Sequence, residues 1–540
     1  MTIQQLLNHT SHSITTAAVV LGGASLLSKV LGLVRDRLLT HTFGAGATLD
    51  AYYAAFRVPD FLYNLLVLGV LSAAFIPLFS DFFSRDRERA WEFMNRTITT
   101  LCVALAGIAA LCILFAPALM TIIAPGFDGE KFDNAVVLTR IMMLSPVLLG
   151  ISAAVGGALQ SLKKFFIYAL APIMYNAGII VGVLAFVPIF GIRGLAIGVV
   201  LGALLHLLIQ LPTLVSSGFR PHVVWGWHHA DVRSLMRLTG PRMIALAAAQ
   251  INIVILTVFA STLGDGAVAV FDLANNIQSF PIGIIAISFA VAAFPIMSEF
   301  AAADNPDGLA KTLGSTLRLV CAWILPVAVL FVVLRAQWVR IILGSGAFDW
   351  NATIATADAL GFFSLGMLGQ SLVHVLARGF YAIKDTRTPA IIGLSSVVLG
   401  IILAFAFKGS LGVSGLALAV AVQSSVNAAA LWFMLHRRIG SLASDHTLHT
   451  LYKLSIAALA MVGVTQGLKI PIASIVDTHT FVGIFLQAAG ASLGGIIAFL
   501  GIGLLLKIEE IFGMVDALKI RVKKVASVLP IDVSDVNAQH

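Results

Sequence analysis

Charge is what this sequence has least of. Lys, Arg, Asp and Glu together make up 11% of its 540 residues, where soluble globular chains carry about one-quarter. With 59% apolar residues and a mean hydropathy of +0.97, the composition excludes an ordinary soluble domain and makes the bilayer the main solvent. Cysteine is also scarce. Cys102, Cys112 and Cys321 each fall in an apolar run, far apart and without metal-ligand spacing, so a disulfide framework or a cysteine-based metal centre is excluded and a small buried side chain is expected. The opening residues MTIQQLLNHTSHSIT hold no Lys or Arg, so they lack the basic leader of a cleaved signal, and a retained first helix is expected. The net charge of +8 does not point to nucleic acid, because in a membrane protein the placement of charge among loops matters more than the sum.

What is present is a series of apolar runs. At roughly 20 residues per span the chain divides into about fourteen helices, starting near residues 15, 50, 95, 134, 167, 193, 235, 267, 313, 353, 388, 411, 450 and 480. The predicted class is an all-α polytopic membrane protein with two pseudo-symmetric lobes of about six helices each and two further helices at the C-terminal end. The expected parts are an N-lobe at 1–216, an interfacial linker at 217–232, a C-lobe at 233–440, the last two spans at 441–506 and a basic tail at 507–540. Most Lys and Arg collect on one set of loops, including Arg85, Arg87 and Arg89, Lys163 and Lys164, Arg378 and Lys384, and Arg437 and Arg438. The positive-inside rule then places both termini in the cytoplasm. The linker SGFRPHVVWGWHHADV carries Trp225 and Trp227 as interfacial anchors, and the tail alternates apolar positions with Lys519, Arg521, Lys523 and Lys524, as a helix on an anionic leaflet would. His228, His229 and Asp231, like His446 and His449, sit in loops without a second ligand pair, so no metal site is expected.

A repeat runs through the two lobes. FGAGATLDAYYAAFRVPDF from Phe43, closing at AAFIPLFSDF, returns about 220 residues later as LGDGAVAVFDLANNIQSF from Leu263, closing at AAFPIMSEF. Internal repeats in membrane transporters place the working site where the repeats meet, so a transporter is the first expectation. The two copies differ in charge: the first holds Asp50, Arg57 and Asp60, while the second has Asp272, Asn275 and Asn276.

The residues that should do chemistry are the charges inside spans, each costing roughly 2.5 to 3.5 kcal/mol at a bilayer centre. Lys29, Arg35 and Asp36 lie within two turns near one stripe of the first helix, as one wall of an anion-binding cleft would. The alternative is that Arg35, Asp36 and Arg37 lie at the helix end, snorkel to the interface and pair among themselves, and that Asp50, which follows a Gly-rich turn, is the N-cap of the second helix, a role compatible with function. Arg57 and Asp60 flank Pro59 and could serve a kink. His374 and the group Gln423, Ser424, Ser425 and Asn427 read as interhelical contacts, with coupling-ion or substrate contact as the alternative.

The segment SKVLGLVRDRLLTHTFGAGATLDAYYAAFRVPDF, from Ser28 to Phe61, resembles the start of the MurJ (MviN) family of lipid II flippases, within the multidrug/oligosaccharidyl-lipid/polysaccharide exporter superfamily. APGF at Ala124, the run from Gly240 to Gln250 and LARGFYAIKDTRTP from Leu376 carry the same resemblance. It implies paired lobes around a cationic cavity, a hydrophobic groove involving the last two helices, and alternating access driven by an ion gradient or the membrane potential. The implied partners are lipid II, membrane lipids and the peptidoglycan synthesis machinery, in the bacterial inner membrane, with no cofactor and no enzymatic step. By position, the family's substrate-binding cations fall on Lys29 and Arg35 and its acids on Asp36 and Asp50; Arg57 joins the expected site, with Asn276, His374, Gln423 and Asn427 as polar cavity or coupling candidates. Tyr63 and Asn64, and Asn276, stand where the family has arginines, and lysine at position 29 lacks the bidentate guanidinium fork. The expected cavity is therefore less cationic than the family's. That keeps a second reading in view, a transporter of another polyprenyl-linked oligosaccharide or of an amphiphilic small molecule by antiport.

Overall fold

The computed structural model describes residues 14–68, 74–440, 444–514 and 516. Of the basic tail expected at 507–540, the part from 517 onward, with Lys519, Arg521, Lys523 and Lys524, lies outside the described residues. All the regular structure described is helical. Numbering the helices of ten residues or more in chain order, α1 is Ile14–Phe43, α2 Ala47–Leu62, α3 Ile76–Arg85, α4 Arg87–Leu114, α5 Gly129–Met142, α6 Leu144–Ser161, α7 Phe165–Val181 and α8 Arg193–Leu208. There follow α9 Ala230–Ser261, α10 Ala267–Pro281, α11 Ile287–Ala302, α12 Pro306–Val333, α13 Trp350–Ala382, α14 Arg387–Ile439, α15 Ser444–Ile475 and α16 Phe481–Leu505. The chain is an all-α, multi-pass membrane protein.

Among the described residues, 10 helices are long and apolar enough to cross a membrane, so the expected count of about fourteen is not reached on that measure. Two causes are visible. Two expected spans, from 388 and 411, run together as α14, with only Gly412 (φ 57) breaking the helical backbone between them. The expected span from 50, α2, has 16 residues and carries Asp50, Arg57 and Asp60, and it is not among the ten.

Side-chain caps start several helices. Asp86 accepts the backbone N–H groups of Glu88 and Arg89 to open α4, Asn305 accepts from Gly308 at α12, and Thr480 from Gly483 at α16. Several ends are less usual. α6, α11, α13 and α16 close with paired backbone bonds reaching five and three residues back, for example Lys164 N–H to Leu159 O and Lys163 N–H to Gln160 O. The left-handed residue in these closures is Lys163, Asp304, Lys384 or Lys507, not glycine. A side chain there costs roughly 1 to 2 kcal/mol, and the three lysines offset part of that by placing a cation on the negative end of the helix dipole.

The chain forms two units. The first comprises residues 1–280, 338–363 and 390–423, the second 281–337, 364–389 and 424–540. In the first, α7 and α8 cross with their backbones almost touching: a Cβ on Gly178 would sit 2.3 Å from the Cα of Gly202, and one on Gly182 would sit 2.5 Å from the Cα of Gly198. Glycines four apart on both helices allow that approach, since packing rather than hydrophobic exclusion holds helices together in lipid. Phe75, Phe79, Phe93, Trp91 and Phe219 form its aromatic core near α3 and α4. A groove of about 520 Å³ lined by Ala106, Ile113, Met143, Leu144 and Ile197 is apolar except for Arg140, as a surface facing acyl chains should be.

In the second unit α12 packs on α15 and α15 on α16. A buried ion pair from Arg318 to Glu510 ties the segment after α16 to α12. Asp385 accepts the N–H groups of Arg387 and Thr388 at the start of α14 and pairs with Arg438 at 2.6 Å. Burial alone would raise the Asp385 carboxyl; the Thr388 and Arg438 contacts hold it below the usual carboxylate range.

Candidate functional site

The charges of α1, α2 and α10 meet inside the first unit. Arg35 donates from Nε and Nη2 to Asp36 Oδ1, at 3.0 and 2.8 Å, and from Nη1 to Asn176 Oδ1 on α7 at 3.3 Å. Asn176 is itself held through Nδ2 by Ser28 Oγ and by the Ser28 and Pro172 carbonyls, each at 3.2 Å. The close crossing of α7 and α8 therefore fixes the helix that orients the guanidinium. Asp36 is buried, and its second oxygen accepts from Asn276 Nδ2 at 3.1 Å. Arg35 retains 21% side-chain exposure, so its charge is positioned but not sealed.

Arg57, buried on α2, pairs with Asp272 of α10 and donates from Nε to Thr257 Oγ1 of α9 at 2.7 Å. Asp50 is fully buried, but not as the N-cap expected from its Gly-rich turn: α2 begins at Ala47 and its cap is Gly46, without a side-chain bond. Its carboxylate caps the other repeat copy instead, accepting Gly266 N–H at 2.7 Å and Ala269 N–H at 2.8 Å at the start of α10. Lys131 bridges Asp50, at 2.6 Å, and the exposed Asp265, at 2.8 Å. Gly266 has φ +85, and a Cβ there would meet the Ala45 carbonyl at 2.2 Å, which is why glycine recurs in this turn.

Two charges are left over. Lys29 and Asp60, the latter next to Pro59, are half-buried, and among the described residues neither makes an ion pair or a side-chain hydrogen bond, although Asp60 lies within electrostatic reach of Arg57 and Arg35. Asp60 contributes only its backbone carbonyl, to Asn64 Nδ2 at 2.9 Å. Lys29 thus does not join the Arg35–Asp36 pair despite sharing a stripe with it.

Arg37 does not snorkel. It donates to the carbonyls of Ile341 and Ile342, and Thr40 Oγ1 donates to that of Leu343 at 3.1 Å, so α1 closes off the end of the helix Arg335–Leu343. Of the other expected polar residues, Asn276 joins the Asp36 cluster, and Gln423 packs against Gly400 in the first unit with its Oε1 buried and unbonded. His374 and Asn427 belong to the second unit, where the His374 carbonyl accepts from Arg378 at 3.0 Å and Asn427 Oδ1 is buried with no hydrogen-bond partner among the described residues. Among the linker residues, Arg96 contacts Glu92 and His229, while Asp231 pairs with Arg89 at 3.2 Å. Asn176, Lys131 and Thr257 were missed in the sequence. Asn176 and Thr257 are each an isolated polar residue in an apolar run, whereas Lys131 sits among Asp128, Glu130 and Asp133 and has no such mark.

The family described as "Lipid II flippase MurJ" matches residues 39–487. The chain belongs to the lipid II flippase MurJ family. The MurJ of Burkholderia cenocepacia is 28% identical over 456 residues, covering 83% of this chain and 88% of that protein. The probable lipid II flippase MurJ of Rhizobium meliloti is 30% identical over 438 residues, covering 78% and 81%. Among solved structures, a lipid II flippase MurJ in an inward closed conformation superposes with a TM-score of 0.75 at 23% identity, covering 91% of this chain and 99% of that one. An inward-facing multidrug-resistance MATE transporter of the MOP superfamily gives 0.67 at 17%, covering 77% and 95%. The MurJ fold is therefore shared over nearly the whole chain.

Proposed function

We propose that this chain is a flippase that carries lipid-linked peptidoglycan precursor, lipid II, from the cytoplasmic to the outer face of the bacterial inner membrane by alternating access. The observation that carries the reading is the MurJ family match over residues 39–487. Arg35, aimed by Asp36 and Asn176, and Lys29, which makes no ion pair or hydrogen bond among the described residues, are the cations that would meet the pyrophosphate. Asp36, Asp50 and Arg57 support the same site through their pairs, with Asn276 completing the Asp36 cluster. Both termini lie in the cytoplasm in this reading, and transport draws on an ion gradient or the membrane potential without a cofactor. His374, Gln423 and Asn427 are the polar groups available for coupling, and the synthesis machinery of the wall is the natural partner. The lobes at 1–216 and 233–440 would be the moving parts, joined by the 217–232 linker.

One observation favours a second reading. Lys29, Arg35 and Arg57 are offset in number by Asp36, Asp60 and Asp272, so the region suits a head less anionic than a bare pyrophosphate, such as another lipid-linked oligosaccharide or an amphiphile moved by antiport. Depletion of a host's own MurJ, with this chain expressed in its place, separates the two. Lipid II reaching the outer face supports the first reading, and an inserted protein that fails to deliver it supports the second.

A further inference from the structure

One arginine of the first unit lies in an apolar groove with no carboxylate to answer it. The groove, about 520 Å³, is walled by α4, the consecutive helices α5 and α6, and α8, and Arg140 is its one charged lining residue among the described residues. Arg140 is exposed and makes no ion pair among those residues. Its Nε donates to the Ile113 carbonyl near the end of α4 at 3.3 Å, and neither Nη makes a hydrogen bond among them. The bond to Ile113 satisfies one of that helix's last carbonyls and uses one of the five guanidinium N–H groups. The other four remain available.

The groove has a direction. The run Gly129–Ser161 has 33 residues, so ~50 Å of helix serves a hydrocarbon core of about 30 Å. Arg140 stands ~16 Å from the start of that run, a little inside the hydrocarbon boundary when the run is centred. A helical side chain leans back toward the N-terminal end, which carries the guanidinium to that boundary. From there the lining deepens through Leu144 and Val147 on one side. Consecutive spans cross the membrane in opposite senses, so on the other side it deepens from Ile113 through Ala110 to Ala106. The cation stands at the shallow end, and only apolar side chains line the way to the midplane.

We propose that this groove binds a phospholipid of one net negative charge, with its phosphodiester on the Arg140 guanidinium and one acyl chain laid along Ala110 and Ala106. An amphiphile with its charge at the boundary and its chain toward the midplane has the same polarity as the groove. Charge decides the class of head. A guanidinium meets two phosphate oxygens with paired N–H groups, and one cation balances one phosphodiester. The diphosphate of a lipid-linked sugar would bring more negative charge than the groove can answer, and the ammonium of a zwitterionic head would find no carboxylate in the lining. With both termini in the cytoplasm, the bound lipid belongs to the outer leaflet. The assignment is independent of the flippase reading and uses none of the residues of that site.

The test titrates the full chain in detergent with phosphatidylglycerol and with phosphatidylcholine of the same acyl chains, and reads the first bound lipid by native mass spectrometry. The wild-type chain should hold phosphatidylglycerol about tenfold more tightly, a ratio equivalent to ~1.4 kcal/mol. Arg140→Gln should bring phosphatidylglycerol down to the phosphatidylcholine level and leave phosphatidylcholine unchanged, which also shows that the variant is folded. Ala110→Phe, which fills the groove and keeps the guanidinium, should weaken both lipids. Equal binding of the two lipids by the wild-type chain overturns the anionic assignment, and a preference that survives Arg140→Gln overturns the site. If Ala110→Phe binds both lipids as the wild type does, the chain does not lie in the groove and the proposal fails. Displacement of phosphatidylglycerol by an equal concentration of a polyprenyl diphosphate gives the groove to a lipid-linked diphosphate, and likewise overturns it.

Discussion

The two copies of the internal repeat share a backbone and differ in charge. Each begins with positive-φ glycine turns, Gly44 before α2 and Gly264 and Gly266 before α10. Each reaches a proline, Pro59 or Pro281, and passes into a π-helical turn, Tyr63–Leu68 or Ile282–Ala286. A proline that removes one hydrogen bond makes such a widened turn the cheapest continuation. On that common frame the first copy carries Asp50, Arg57 and Asp60, and the second supplies partners for two of them, the N–H groups that Asp50 caps and the Asp272 that pairs with Arg57, while its Asn276 holds Asp36 of α1. The copies share the proline and the π-helical turn but not the charges, so the second completes the first.

The largest effect should come from removing the cations outside that exchange. Lys29→Ala combined with Arg35→Ala should abolish transport in a lipid II translocation assay while the amount of protein in the membrane stays at the wild-type level. Normal transport by the double variant would place both residues in a structural role and leave the asymmetry of the repeat without functional meaning.

Next comes the pair that joins the copies. Arg57→Ala alone leaves Asp272 buried and unpaired, and should cost about 3–5 kcal/mol; Asp272→Ala should cost a similar amount for the converse reason. Replacing both, as Arg57→Met with Asp272→Leu, should restore most of that loss, since desolvating an ion pair offsets much of its attraction. Thermal denaturation of the four proteins in detergent measures the coupling. If the single and double variants fall equally, the pair does not link the copies.

How far the sequence goes is visible in these same residues. Lys29, Arg35, Asp36, Asp50 and Arg57 stand out singly because charge is expensive in lipid, and the helical class follows from composition. Their partners do not stand out, because Arg35 to Asn176 and Arg57 to Asp272 join helices distant in sequence, and the geometry depends on how α7 crosses α8. Asp50 shows the limit most sharply: its position after glycines is the local signature of a cap, and it is a cap, but of the helix that opens the other repeat copy. Arg37 taught the same lesson at the other end of its helix, where the expected interface is occupied by the carbonyls of Ile341 and Ile342.

The smaller effects fall on Lys131, which touches a carboxylate of each copy. Asp50 is fully buried and accepts two backbone N–H groups besides the lysine, so Asp50→Asn weakens charge-assisted bonds and should cost about 1.5–3 kcal/mol. Asp265 contacts the same ammonium at nearly the same distance, but 73% of its side chain is exposed. Water and salt screen that contact, and Asp265→Asn should cost no more than ~1 kcal/mol, an effect that should vanish in high salt. The comparison holds lysine, distance and substitution nearly constant and changes only burial and the backbone contacts. If Asp265→Asn proved as damaging as Asp50→Asn, the stability of this junction would come from the lysine's own placement over the Phe127 ring, 4.1 Å from its centroid, and the unequal sharing of charge between the copies would not be what holds them together.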